Sequence, residues 1–187
     1  MTVDHGYDSD KHSMNEAILY TLAGLGMSFA GFSGLVVTLP TRRDARAWSP
    51  AELRMLGLLI GDSFVVLFLA LLPVPMALAD WPVDTIWTLC SALLGSWCLL
   101  GGLMTLRGEL RDRKGRHSIA NPVMAPVRYG IYLVAFAMGA ILWLSIWDLL
   151  LANGQPLYVL GLLVLLAFAA VEFLFFIGLV LQQGQKE

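Results

Sequence analysis

What this sequence has least of is charge. Of its 187 residues only 14% are charged, while 58% are hydrophobic. Soluble domains keep about a quarter of their residues charged, so this chain has too little polar surface to face water on every side. The net charge of −2 excludes the basic excess that a phosphate backbone demands, and no nucleic-acid partner is expected. Histidine is also scarce: His5, His12 and His117 all lie outside the apolar runs, leaving no imidazole within a span for haem or a redox metal. His5 and His12 share an N-terminal stretch with Asp4, Asp8 and Asp10, which reads as a flexible tail and a poor metal site. Cys90 and Cys98 fall in one apolar run, about 12 Å apart along a helix and beyond disulfide reach. Metalloprotease, serine-nucleophile and phosphate-loop patterns are missing. The chain is therefore not expected to be an enzyme or to carry a cofactor.

What is present in quantity is long uncharged sequence. Five runs are long enough to cross a bilayer, at residues 17–39, 50–72, 85–106, 129–151 and 156–181. The tail ahead of the first lacks the basic start, short apolar core and small-residue site of a cleavable signal, so that run is expected to remain as a span. Ser49-Pro50-Ala51-Glu52 has the form of a capping box with proline at the first helical position. Pro73 and Pro75 are expected to end the second helix, and Asn153-Gly154 the fourth. The stretch from Arg107 predicts that the third helix projects past the bilayer and stops at Gly115. The fold class is an all-α integral membrane protein, a bundle of about five transmembrane helices forming a single transmembrane domain over residues 1–187.

Orientation follows from lysine and arginine. Arg42, Arg43, Arg46 and Arg54 crowd the first connector, and Arg107, Arg111, Arg113, Lys114, Arg116 and Arg128 the third. The second and fourth connectors hold none. The N-terminus is thus expected outside and the C-terminus in the cytoplasm. Trp81, Trp87, Trp147 and Tyr158 fall at the outer edge of this map and Tyr129 and Tyr132 at the inner one, as an interfacial aromatic belt requires. The expected home is a cell membrane, the bacterial inner membrane in particular, with the lipid bilayer as the first partner.

Two features inside the spans could carry function. The first span is rich in small residues: Gly26, Ala30 and Gly34 recur every four residues, and Gly24, Ser28 and Gly31 form a neighbouring stripe. Such stripes let helices approach closely. In the plain reading this is a packing helix; in the functional one its small polar face lines a path shared between copies of a homo-oligomer. Gly57 and Gly61 repeat the spacing in the second span, where a close neighbour is again expected. The second feature is a pair of acids, Asp62 in LLIGDSFVVLF and Glu172 in FAAVEFLFF. They lie roughly 12 and 14 Å in from the cytoplasmic ends of their helices. A carboxylate in hydrocarbon costs a few kcal/mol or more, so each must face the bundle interior, water or a partner, or carry a proton. Ser63, Ser28 and Thr38 are the hydroxyls within reach of such a role. Glu16, Asp80, Asp84 and Asp148 lie near the outer face, either as an acidic vestibule for cations or as solvated helix ends.

The function expected from this pattern is passage of a cation or proton through an oligomeric channel or transporter, with Asp62 and Glu172 on the path. A non-transporting scaffold or sensor subunit, whose basic cytoplasmic helix contacts a partner or anionic lipid, is the alternative. A lipid-binding or lipid-processing protein is the third.

Overall fold

The computed structural model describes residues 5–38, 50–114, 125–146 and 154–184. All of its elements are helices: α1 (His5–Thr38), α2 (Pro50–Leu71), α3 (Pro73–Leu78), α4 (Val83–Lys114), α5 (Ala125–Ile146) and α6 (Gly154–Gly184). Five stretches are long and apolar enough to cross a membrane: Ala17–Leu35, Leu56–Leu78, Val83–Gly108, Tyr129–Ile146 and Gly154–Phe175.

The helix ends show where local chemistry overrode the apolar pattern. α1 starts at His5, so the backbone of the acidic tail is helical rather than irregular. Asp8 and Asp10 fall in its first turns. α2 ends at Leu71, just before Pro73 as expected, while the apolar stretch runs on to Leu78. Leu72 N still bonds Phe68 O at 2.9 Å, and Pro73 opens α3 at once, because a first-turn position needs no N–H. α3 then closes in a Schellman motif: Trp81 N bonds Met76 O at 3.2 Å and Asp80 N bonds Ala77 O at 3.1 Å, with Asp80 in the left-handed region at φ 57°. Ile86 N returns to Pro82 O at 3.1 Å, which starts α4. That helix is described as far as Lys114; the stop expected at Gly115 lies outside the described residues. α6 begins at Gly154, two residues before Pro156, which the first turn accommodates.

The chain divides into two compact units. The first gathers α1, α2 and α6 from Leu165 onward; the second runs from Pro73 to Val164 and holds α3, α4, α5 and the start of α6. In the first unit Leu19, Leu22, Ala23 and Gly26 of α1 are buried, as are Leu59, Ser63, Val66 and Ala70 of α2. Gly26 is the point of closest approach. A Cβ there would stand 2.9 Å from Ser63 O, 3.2 Å from Leu67 N and 3.3 Å from Val66 Cγ1. Phe173 of α6 packs on Phe29 and Phe32 of α1, with ring centroids 6.1 and 6.3 Å apart. In the second unit α4 and α5 meet backbone to backbone: a Cβ on Gly95 would lie 3.3 Å from Gly139 O, and one on Gly139 3.1 Å from Gly95 O. α6 approaches through side chains instead, since a Cβ on Gly161 would meet Leu94 Cδ2 at 2.8 Å, Met138 Cε at 3.2 Å and Leu142 Cδ1 at 3.3 Å.

Candidate functional site

Asp62 and Glu172 both fall in the first unit. At 100° per residue Glu172 continues the α6 stripe of Leu162, Leu165 and Ala169, all buried. Asp62 lies at the edge of the buried α2 stripe of Leu59, Val66 and Leu69. The two carboxyls are thereby brought within electrostatic range of each other. Asp62 is half-buried. Glu172 Oε2 is fully enclosed and has no hydrogen-bond partner among the described residues.

The serines named as possible partners are committed elsewhere. Ser63 Oγ donates to Leu59 O at 2.6 Å and Ser28 Oγ to Gly24 O at 2.8 Å. A hydroxyl has one proton to give, so neither donates to a carboxylate. The Thr38 side chain lies outside the described residues. The two acids lie within electrostatic range of each other, and the apolar runs that hold them contain no lysine or arginine. Such an arrangement disfavours two charged carboxylates at once.

The small residues of α1 divide between two sides. Gly26 is buried against α2, Ala30 is half-buried, and Gly34 is exposed, with nothing within 4 Å of the place a Cβ would take. Gly24, Ser28 and Gly31 are all exposed, on the opposite side of the helix from Leu19, Ala23 and Gly26. Within one chain this stripe is an outer surface, not an interior one. Gly57 and Gly61 likewise have nothing within 4 Å; the close neighbour expected there does not exist among the described residues, because α1 meets α2 along Ser63 and Val66 instead.

The remaining acids do not converge among the described residues. Asp80 and Asp84 are exposed, one capping α3 and the other in the first turn of α4, where a negative charge suits the helix dipole. The Glu16 side chain and Asp148 lie outside the described residues, as do the histidine side chains and most of the arginine clusters. No group of three histidine, cysteine or acidic residues suited to a metal occurs among the described residues. Cys90 and Cys98 are both buried thiols.

Tyr158 is fully buried, with its ring 5.8 Å from that of Trp87 and its hydroxyl hydrogen-bonded to Cys90. Ser91 and Ser145 are also buried, at 1% and 8% exposure. Neither stands out in the sequence, because a helical serine usually bonds its own backbone.

Comparison with known proteins returns no matching family model, no matching curated protein and no matching solved structure.

Proposed function

We infer that the chain passes a proton or small cation across a membrane, with Asp62 and Glu172 as the exchange site. One observation carries this reading: two acids from different helices, each in an otherwise apolar span, lie within electrostatic range of each other, and Glu172 Oε2 is enclosed without a partner among the described residues. An ionisable group at membrane depth is costly and by default marks an ion or proton pathway. Like charges side by side raise that cost further, and a cation or proton between them removes both penalties. The exposed stripe of Gly24, Ser28 and Gly31 belongs to a wall formed between copies, since a chain of 187 residues can hardly enclose an aqueous path alone. The arginine-rich first and third connectors set the N-terminus outside and the C-terminus in the cytoplasm of a cell membrane.

Purified protein reconstituted into liposomes tests this directly. Wild type should dissipate an imposed proton, sodium or potassium gradient, and Asp62→Asn and Glu172→Gln should abolish the flux while remaining folded and of unchanged oligomer size. Wild-type vesicles as tight as empty ones, at several pH values and voltages, would refute transport. A scaffold subunit would then be favoured, identified by a stably co-purifying partner.

A further inference from the structure

The second unit holds a polar node that the acid pair does not involve. Two registers define it. Gly95 and Gly102 of α4 face Gly139 and Phe136 of α5, an antiparallel alignment that brings Ser91 level with Ser145. Gly161 faces Leu94, and a Cβ on Gly154 would stand 3.7 Å from Trp87 Cβ, a parallel alignment that brings Tyr158 level with Ser91. Each of these side chains also points inward. Ser91 lies one turn from both Leu94 and Gly95, so it projects into the angle between α5 and α6. Ser145 is one turn beyond Leu142, which touches both other helices, and Tyr158 is one turn before Gly161.

The hydrogen-bond inventory of this node is uneven. Ser145 Oγ donates to Leu142 O at 2.8 Å. The Tyr158 hydroxyl, a stronger donor than a thiol, bonds Cys90. Both protons are used, and each oxygen keeps lone pairs. Ser91 Oγ, at 1% residue exposure, has no partner among the described residues. Buried hydroxyls are paired in the great majority of proteins, and an ordered water is the usual partner when no side chain serves.

We propose that Ser91, Ser145 and Tyr158 bind one ordered water in the core of the second unit. The donor count fits a water and little else. The bound species must donate to the Ser145 and Tyr158 oxygens and accept from Ser91. Water does all three at once, and three hydrogen bonds are the typical number for a buried water. An anion would face two sets of lone pairs. A metal cation would leave the Ser91 proton unused, and no carboxylate among the described residues stands at this level to balance its charge.

Reversible unfolding in detergent, with Ser91→Ala, Ser145→Ala and the double variant, tests the site. If Ser91 is bridged by water, Ser91→Ala should raise the unfolding equilibrium constant about fivefold or more. The double variant should then lose clearly less than the product of the two single effects, because the water has already gone. A Ser91→Ala protein as stable as wild type or more so would mean a dry, unpaired hydroxyl and would overturn the proposal. Independent effects in the double variant would overturn it too, since they indicate separate packing losses. Wild-type stability that depends on whether sodium or potassium is in the buffer would replace water with a cation, and also refute it.

Discussion

Gly26 offers the sharpest test of how the first unit is built. A Cβ at this position stands 2.9 Å from Ser63 O and 3.2 Å from Leu67 N; both are backbone atoms, so relief requires α1 and α2 to move apart. Overpacking of this kind costs about 1–3 kcal/mol. Gly31 is the control, with nothing within 4 Å. Alanine gains roughly 1 kcal/mol of helix propensity at either site, so the difference between Gly26→Ala and Gly31→Ala isolates packing. Gly31→Ala should match or exceed wild-type stability, and Gly26→Ala should fall below Gly31→Ala by about 1–3 kcal/mol. Gly161 refines the comparison. Its shortest approach is tighter still, 2.8 Å, but to Leu94 Cδ2, the end of a side chain that can rotate. Gly161→Ala should therefore cost less than Gly26→Ala despite the shorter distance. Unfolding in detergent, followed by circular dichroism, reads all three. Equal stability of the Gly26 and Gly31 variants would show that α1 does not meet α2 along Gly26.

Two further predictions use different methods. Asp80 holds φ 57°, so Asp80→Gly should be neutral or stabilising by up to about 1 kcal/mol, whereas Asp80→Val should destabilise by more than that; the reverse order would exclude a left-handed residue there. Topology reporters fused at the N-terminus and near Trp81 should lie outside, and those at Arg46, Lys114 and the C-terminus inside; a tail and an Arg46 on the same side would remove the first span.

The five long apolar helices were legible because runs of this length and composition leave few options. Uncharged runs of this length must satisfy their backbone internally, and helices do so. What the sequence could not resolve was which small residues meet a neighbour. Gly26-Ala30-Gly34 and Gly24-Ser28-Gly31 obey the same spacing rule, and only the position of Ser63 and Val66 makes Gly26 the contact while leaving Gly31 open. Pro73 was legible: α2 stops at Leu71, and Pro73 sits where a new short helix begins. The acids stood out because a charge in hydrocarbon is rare. Their placement in one unit was not readable, since it depends on α2 and the end of α6 becoming neighbours. The enclosure of Tyr158 by Trp87 and Cys90 was not readable either, since it depends on α4 and α6 becoming neighbours.

Glu172 separates the transport reading from its plainest rival, a carboxylic acid that merely ties helices together. It occupies the next position on the stripe of Leu162, Leu165 and Ala169, where leucine would extend an apolar surface. One of its oxygens has no hydrogen-bond partner among the described residues, so that oxygen adds no tie in return for its desolvation. Packing alone therefore favours an apolar residue here, and Glu172→Leu should unfold less readily than wild type, by about 1–3 kcal/mol, while flux is lost. A tie between helices makes the opposite forecast: removing the carboxyl breaks the hydrogen bonds it makes, and stability falls with Glu172→Leu and less so with Glu172→Gln. Measuring stability and flux on the same two variants thus distinguishes an acid kept at a cost from an acid that holds the bundle together. A Glu172→Leu protein that is less stable than wild type would remove the structural basis for placing this residue on a path.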